Sequence, residues 1–435
     1  MALRATFRYP QLGLSYLFPR NPGKWLFGCR TGFMDNPKYL FLQALADGRK
    51  RCIWMARNGA QRDRLKALGL PVCYRYSPAG IWHTLTAGYE FFSHYANDIN
   101  YWLSGGARKV MLWHGVGLKR VGNHAGATRL NRLLAPELFD VPYRFLAPSP
   151  FMARHFSRCL DIPAGRMVEA TYPRNDIFKQ PADVLRSFIR RYDPALDKAL
   201  PRPETGTRLY LYMPTFRETG EDFLAAAGFD FAALDALMEK LNGLFLLKLH
   251  PFTRWNAGAL RAFSHIVVLP NDIDVYPLLP LTHTLVTDYS SIYYDYILIP
   301  GKRVVLFPFD REDYLARCRN FAYAYDAFTP GRHVRTFSEL MALIETDGPR
   351  RPTTPECSTY AGCSGPQIGR STTGCLSCPD ARTPFAHGTP GRANGQCGNS
   401  TEGLKRKPSR SPRHTARRNT RRPSGPSVRR DTQWR

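Results

Sequence analysis

Short apolar runs alternate with helix-like stretches along most of this chain. Before residue 190 the apolar runs are WLFG, RCIWMA, KVMLWH and YRFLAPS, with a last one at 168–171, and the helix-like stretches include PKYLFLQALADG, 61–68 and 151–160. Such alternation is typical of a parallel sheet whose faces are covered by helices. The first half is therefore predicted to be a Rossmann-like α/β domain spanning residues 1–190.

A second alternation begins near residue 208. Its apolar runs are RLYLYMP, LFLLKLHP, IVVLP, THTLVTD and RVVLFPF, and helices are predicted over 231–241 and from Ser290. The stretch 191–207 between the two series contains three prolines and a glycine, which favour a linker. The predicted fold class is α/β with two Rossmann-like domains, the second spanning 208–347.

The alternation ends at about Gly348. Residues 348–435 are rich in Pro, Arg, Ser, Thr and Gly, and they carry 17 of the 61 lysines and arginines against four acidic residues. A basic segment without apolar periodicity cannot build a core, so a disordered tail is expected. One interpretation is an arm for nucleic acid or anionic membranes. The preferred one is that the reading frame shifts near Asp347, or that this end has diverged.

The formal net charge of +26 favours an anionic partner. Five cysteines are scattered before residue 320 without paired spacing, which suits reduced thiols. Cys375 and Cys378 form one CxxC, but no second pair accompanies it, so no metal site is predicted. The sequence has no apolar run long enough to span a bilayer and no signal-peptide pattern, which predicts a cytoplasmic protein with at most peripheral membrane attachment.

One segment carries the clearest chemical signal. An apolar strand predicted at 281–286 runs into a polar turn with Thr287, Asp288, Ser290 and Ser291, and a helix follows at once. Hydroxyls and unpaired backbone N–H groups at a helix start form an anion site suited to phosphate or diphosphate. The alternative is a serine that only caps the helix.

Two histidines follow predicted strands. The strand at 109–113 leads to His114, which is followed by Gly115 and Gly117, and the strand at 244–249 leads to His250. The carboxyl ends of parallel strands form the ligand-binding edge of an open α/β sheet. His114 could instead cap the strand end, but two such histidines and a phosphate-type turn together favour an active site.

Five motifs occur in an order that resembles a known family. They are WHGVGLK (113–119), YPRND (172–176), YMPTFR (212–217), LKLHP (247–251) and TDYSSIYYDY (287–296), and FGCRTGFMDNPKYLF (27–41) and the run 300–331 are also similar. This set resembles the CDP-glycerol glycerophosphotransferases, which build teichoic acids and related capsule polymers. The resemblance covers roughly residues 25–345.

The resemblance implies a GT-B arrangement, with an N-terminal acceptor domain and a C-terminal nucleotide-donor domain across a cleft. It implies transfer of glycerol phosphate, or a related polyol phosphate, from CDP-glycerol to a hydroxyl of a cell-surface polymer or lipid-linked acceptor at the inner face of the membrane, with release of CMP. No other cofactor is firmly predicted, and no specific nucleic acid is expected as a partner.

The resemblance also implies roles for particular residues. His114 is the expected base, and His250 the expected contact of the donor phosphates. Arg217 offers a planar donor fork to a phosphate, the turn with Thr287, Ser290 and Ser291 holds the diphosphate, and Asp288 either binds a sugar hydroxyl or caps the helix. Further possible cleft residues are Arg174, Asn175, Asp176 and Lys119. The basic stretch beside His114 is either a solvated face or a contact for a polyanionic acceptor or lipid headgroups, and it consists of Lys119, Arg120, Arg129 and Arg132.

The chain departs from the family pattern at two places. Val116 and Gly117 stand where members commonly have Thr-Pro, and Thr171 stands where a glycine commonly leads YPRND. These changes affect the substrate prediction more than the fold. Two other function classes stay open: a GT-B glycosyltransferase that uses a nucleotide sugar for capsule polysaccharide, and a nucleic-acid-binding protein, which would depend on the tail alone.

Overall fold

The computed structural model describes residues 8–117, 119–121, 134–217, 222–250, 253, 257–318 and 320–346. The predicted tail, 348–435, lies outside these residues, as do Arg129, Arg132 and Pro251. Within the described residues the strands form two sheets, and every paired strand in them is parallel to its neighbour.

The first sheet has seven parallel strands, and the direction in which successive strands are added to the sheet reverses once. They are β1 (Asn21–Gly28), β2 (Arg51–Ala56), β3 (Val72–Tyr74), β4 (Ala87–Phe92), β5 (Arg108–Met111), β6 (Arg144–Ala147) and β7 (Met167–Glu169), in the spatial order β3-β2-β1-β4-β5-β6-β7. The chain moves outward from β1 to β3, then returns to β4 and moves outward the other way. Open parallel sheets bind ligands where the order reverses, here beside the carboxyl ends of β1 and β4.

The second sheet repeats this topology with six strands. They are β8 (Arg208–Met213), β9 (Gly243–Leu247), β10 (Ile266–Val268), β11 (Thr284–Thr287), β12 (Arg303–Leu306) and β13 (Arg332–His333), in the order β10-β9-β8-β11-β12-β13. Its reversal point lies between β8 and β11. The turn with Ser290 and Ser291 follows β11, so this sheet presents that turn at its expected ligand-binding position.

The helices are α1 (Tyr9–Ser15), α2 (Asp35–Asp47), α3 (Gly59–Ala67), α4 (Pro78–Thr86), α5 (Pro150–Cys159), α6 (Ala182–Tyr192), α7 (Pro194–Ala199), α8 (Phe223–Ala226), α9 (Phe231–Lys240), α10 (Ile292–Tyr296), α11 (Arg311–Arg317), α12 (Tyr325–Phe328) and α13 (Phe337–Thr346). Several begin at side-chain caps: Asn58 accepts from the N–H of Gln61, and Ser149 from that of Met152. Within the described residues, no helix has the length and apolar character needed to cross a bilayer.

Alternate residues of the second sheet fill two separate cores. Tyr212 and Val286 pack on one face with Leu340 of α13, whereas Leu211 packs on the other face with Leu196 of α7. Because side chains alternate across a strand, fully apolar strands such as LFLL need both faces covered. Helix α7 lies inside the stretch predicted as a linker, so this stretch contributes to the core of the second sheet as well as connecting the halves.

The α/β class with two parallel sheets is confirmed, but several bounds differ from the prediction. The strand predicted at 109–113 ends at Met111, and the strand predicted at 281–286 begins at Thr284. Strands β3, β4 and β13 were not predicted. Strand β4 is central and entirely buried although it carries Glu90, and this charge weakened its apolar pattern.

A buried ion cluster joins the two halves of the chain. Lys38 of α2 places its ammonium 2.9 Å from Asp274 and 3.2 Å from Asp193, and the hydroxyl of Tyr39 donates to Asp274 over 2.8 Å. The Lys38 side chain is fully buried. Breaking a buried ion pair from one side leaves its partner charge without compensation, which costs more than the pair contributes net.

Lys38→Met is therefore expected to destabilise the fold by about 3 to 5 kcal/mol, because two buried carboxylates lose their counter-ion. Urea unfolding followed by circular dichroism measures this. Lys240→Met is the matched control, since its pair with Glu345 is exposed on both sides and should change stability by less than about 1 kcal/mol. Equal stability of the two variants would contradict the structural role of the cluster.

Candidate active site

The segment after β5 is held in an unusual backbone conformation. Trp113 has φ of +57°, in the left-handed region that non-glycine residues rarely adopt. The side chain of Asn36 donates to the carbonyl of Trp113 over 2.8 Å and to that of Leu112 over 3.3 Å. Strain of this kind persists only where surrounding contacts over-determine it, and it concentrates at functional sites.

Arg174 also holds the segment that follows β5. Its guanidinium donates to the carbonyl of His114 over 3.0 Å, to Asp295 over 2.6 Å and to Asp35, and only 2% of the residue is exposed. Burial would lower the pKa of Arg174, but Asp295 and then Asp35 outweigh it and raise the pKa well above its usual value. The guanidinium therefore links a loop of the first sheet to α10 of the second.

The three predicted residues of the YPRND motif have different surroundings. Arg174 faces protein partners, and Asn175 donates to the other oxygen of Asp295 over 3.1 Å. Asp176 lies partly exposed and accepts from Lys179 over 3.3 Å. Arg174 and Asn175 thus converge on one carboxylate of the second half, whereas Asp176 lies apart from them.

His114 lies exposed to solvent above this anchor. Its ring stacks on that of His94, with 4.4 Å between centroids and 13° between planes, and it hydrogen-bonds to the backbone of Ser93. The surrounding protein, and then the charge of His94, lower the pKa of His114 below its usual value. The imidazole is therefore neutral at neutral pH, which is the form that can accept a proton.

The polar residues at the reversal point of the second sheet are largely buried. Thr287 donates to the carbonyl of Met213 over 2.7 Å, and Asp288 accepts from the N–H of Thr215 over 2.8 Å. Arg217 donates to Asp288 over 2.5 Å and forms two bonds of 2.8 Å with Asp310. The guanidinium predicted to face a phosphate instead holds two carboxylates, and Asp288 faces the interior.

Ser290 and Ser291 are the half-buried hydroxyls of the predicted turn. The N–H of Ile292 donates to the Ser290 hydroxyl over 3.5 Å, and helix α10 starts at Ile292 rather than at Ser290. A Cβ atom on Gly115 would lie 2.9 Å from Oγ of Ser291. The serine turn of the second sheet and the His114 loop of the first are therefore in contact.

His250 and Lys119 lie at the borders of this region. His250 is exposed, and its ring centroid lies 5.3 Å from that of Phe216, next to Arg217 in the chain. Lys119 pairs through its backbone with Phe321, and its ammonium lies 5.8 Å from the centre of the Tyr314 ring. Arg120 is exposed and donates to the carbonyl of Phe321 over 3.3 Å.

An open cavity of about 470 Å³ lies beside the carboxyl ends of β9 and β10. Leu249, adjacent to His250, forms part of its wall, and Asn271 forms another part. The buried ammonium of Lys248 donates to the carbonyl of Asn271 over 3.2 Å, and burial lowers the pKa of Lys248 to about 8. Within the described residues, no group of three or more His, Cys, Asp or Glu side chains could hold a metal ion.

Four residues of the site were not singled out from the sequence. Asp295 lies within the TDYSSIYYDY motif, and Asp35 and Asn36 lie within the run 27–41, so the motifs contained them without revealing their roles. His94 follows β4, the central strand that was not predicted. A strand assignment for AGYEFF would have placed His94 at a carboxyl end beside His114.

The chain is similar in sequence to known proteins. A family model described as CDP-Glycerol:Poly(glycerophosphate) glycerophosphotransferase matches residues 14–356. The teichoic acid ribitol-phosphate polymerase TarL of Staphylococcus aureus is 27% identical over 249 residues, which are 55% of this chain and 42% of that protein. A teichoic acid poly(glycerol phosphate) polymerase of Bacillus spizizenii is 23% identical over 352 residues, which are 75% of this chain and 84% of that protein.

Among solved structures, the wall teichoic acid polymerase TagF aligns with a TM-score of 0.61 at 20% identity, covering 79% of this chain and 86% of that one. A variant of TagF soaked with CDPG aligns with a TM-score of 0.60. These alignments show a shared fold. The chain spans less than half the length of the ribitol-phosphate polymerases that it matches over about 250 residues.

Gly115→Ala is expected to lower the free energy of unfolding by about 1 to 2 kcal/mol, because φ is +157° and the added methyl would press on Ser291. Thermal unfolding measures it. Gly117→Ala is the matched control two residues on, where the nearest atom to the added carbon would be 3.7 Å away. If both variants unfold at the same temperature, the close approach of Gly115 to Ser291 is wrong.

Proposed function

The chain belongs to the CDP-Glycerol:Poly(glycerophosphate) glycerophosphotransferase family, and on that premise we propose that it transfers glycerol phosphate, or a related polyol phosphate, from CDP-glycerol to a hydroxyl of a polymer or lipid-linked acceptor, releasing CMP. The observation that carries this proposal is the contact between the His114 loop and the turn with Ser290 and Ser291. It brings a neutral imidazole beside hydroxyls suited to a phosphate.

His114 is the proposed base. In the transfer, the acceptor hydroxyl loses its proton to the imidazole, its oxygen bonds to the polyol-bearing phosphorus, and the bond from that phosphorus to the CMP oxygen breaks. A base is useful here only if it is unprotonated when substrate binds. The lowered pKa of His114 supports that state.

The donor is proposed to lie along the second sheet. Ser290, Ser291 and His250 are placed to contact the diphosphate, and the cavity beside Leu249 is large enough for part of the nucleoside. Arg217 then acts as a positioning residue, because its guanidinium fixes Asp288, which in turn holds the backbone of the β8 and β11 ends together. Thr287 has the same role through Met213.

The two sheets are proposed to form the acceptor and donor domains of a GT-B enzyme, with residues 1–190 and 208–347 on either side of the cleft. Arg174 and Asn175 support this proposal, since both reach from the first half to Asp295 of the second. Lys119, whose ammonium lies 5.8 Å from the centre of the Tyr314 ring, is the proposed contact of a polyanionic acceptor. The names of the relatives, ribitol-phosphate and glycerol-phosphate polymerases, motivate a polyol-phosphate acceptor.

The function is tested by CMP release from CDP-glycerol, CDP-ribitol and UDP-sugars in parallel. His114→Asn is expected to reduce CMP release by about 10² to 10⁴-fold, because a general base contributes a rate factor of that order. His265→Asn is the matched control, since His265 lies beside Asp235 outside the site and should leave the rate within about twofold.

Three results would overturn the proposal in different ways. Turnover of UDP-sugars alone would identify a glycosyltransferase. Near-normal CMP release by folded His114→Asn would remove His114 from its role. A wild-type protein that binds no CDP-polyol by titration calorimetry would refute the donor class itself.

A membrane surface is the proposed location of the acceptor. Leu14, Tyr16, Leu17 and Trp82, at the end of α1 and on α4, are each at least 57% exposed, and the ring centroids of Phe18 and Trp82 are 6.4 Å apart. Arg20 fixes this region by donating to the carbonyls of Ser15 and Thr84. Exposed Trp, Tyr and Leu on a rigid support suit the interface of a bilayer, and the net charge of +26 favours anionic lipids.

Leu17→Ser combined with Trp82→Ser is expected to reduce binding to phosphatidylglycerol vesicles roughly tenfold, because each apolar side chain buried at the interface contributes about 1 kcal/mol or more. Vesicle sedimentation measures it. Val184→Ser, also at an exposed apolar residue, is the control and should bind as the wild type does. Unchanged binding of the double variant would exclude this surface as the attachment site.

A further inference from the structure

His94 lies at the reversal point of the first sheet, in contact with the proposed base. It is the second residue after β4, and Cys29, the first residue after the neighbouring β1, lies close enough to hydrogen-bond with it. The rings of His94 and His114 are nearly parallel, with 4.4 Å between centroids. The stack fixes the plane of the exposed His114 ring from one side.

Asp98 fixes His94 in turn. One carboxylate oxygen of Asp98 accepts the backbone N–H of His94 over 2.9 Å, and the same oxygen lies 3.5 Å from Nδ1 of the ring. The Asp98 side chain is 3% exposed and that of His94 is 16% exposed. A buried carboxylate beside a largely buried imidazole favours the imidazolium form.

We propose that His94, held by Asp98, is a positioning residue that keeps His114 neutral and correctly oriented for proton transfer; this inference rests on the function proposed above. Two stacked imidazoles at this separation cannot both carry a proton without strong repulsion. Because Asp98 assigns the proton to His94, His114 is left unprotonated. When His114 accepts a proton from the acceptor hydroxyl, the same repulsion favours its return to solvent.

The pKa values of His94 and His114 are shifted in opposite directions, as this assignment requires. Burial opposes the charge of His94, but the nearby Asp98 and Cys29 side chains outweigh it and raise the pKa of His94 to about 10. The pKa of His114 moves in the opposite direction. The other charged groups near the pair are Asp35, which favours protonation of His114, and Arg174, which opposes it.

The charge of His94 determines the pH at which the rate falls on the acid side. With His94 charged, the acid limb of the rate lies below the ordinary histidine range, and the enzyme stays active as the pH falls. Removing this charge raises the pKa of His114, so the acid limb moves to higher pH. A neighbouring charge at this distance in a partly solvated site is worth roughly one pH unit or more.

His94→Phe tests the proposal, because phenylalanine retains a stacked ring and removes the charge. CMP release from CDP-glycerol is measured between pH 4.5 and 9, and the C–H resonances of His114 are titrated by NMR in the same protein. We expect the plateau rate at high pH to fall less than about tenfold while the acid limb and the His114 titration both move up by about one unit or more. His265→Phe, beside Asp235, is the matched control and should move neither.

Asp98→Asn provides a second route to the same state, since it removes the carboxylate and leaves both rings. It should move the His114 titration in the same direction as His94→Phe. An unchanged titration of His114 in both folded variants would overturn the proposal, whatever the rates. The NMR measurement needs no substrate, so it separates this outcome from a failure of CMP release, which would refute the proposed function instead.

Discussion

The buried guanidinium of Arg174 is the interaction on which the geometry of the candidate site depends. It joins Asp35 at the start of α2, the carbonyl of His114 after β5, and Asp295 of α10. The first two belong to the first half and the third to the second half. The position of His114 relative to Ser291 is therefore set by one cation and two carboxylates, and loss of the Arg174 guanidinium would leave both carboxylates without their counter-ion.

At the ligand-binding edge of each sheet, a buried arginine binds two carboxylates and so fixes the loops that follow the strands. In the second sheet Arg217 holds Asp288 and Asp310, and Asp288 in turn accepts backbone N–H groups. Both arginines are almost fully buried, so neither is placed as a simple surface ligand of phosphate. Their contribution is to fix loops at strand ends, where polar groups that remain accessible, such as Ser290 and His250, can face a ligand.

The sequence predicted the α/β class and the placement of His114 and the serine turn at strand ends, because apolar runs and polar strand ends are local signals. It did not predict that Arg174, Arg217, Thr287 and Asp288 are committed to protein partners, since most of those partners lie from 60 to 139 residues away in the chain. His94 was missed because its strand carries the buried Glu90. Which arginine binds a ligand and which binds a carboxylate is decided by tertiary contacts that residue type alone does not encode.

The pairing of His94 with His114 limits how much of the rate enhancement proton transfer can supply. A histidine with a lowered pKa stays available as a base as the pH falls, yet it attracts a proton weakly, so proton transfer accounts for only part of the rate enhancement. Phosphoryl transfer depends more on groups that hold the charge spread over the transferring phosphate. The contact between the His114 loop and the Ser290–Ser291 turn brings the proposed base close to the hydroxyls proposed to hold the phosphate, and Gly115 permits this contact because a side chain there would meet Ser291. The strained backbone at Trp113 and Asp35 is consistent with a site in which position, more than base strength, determines the rate.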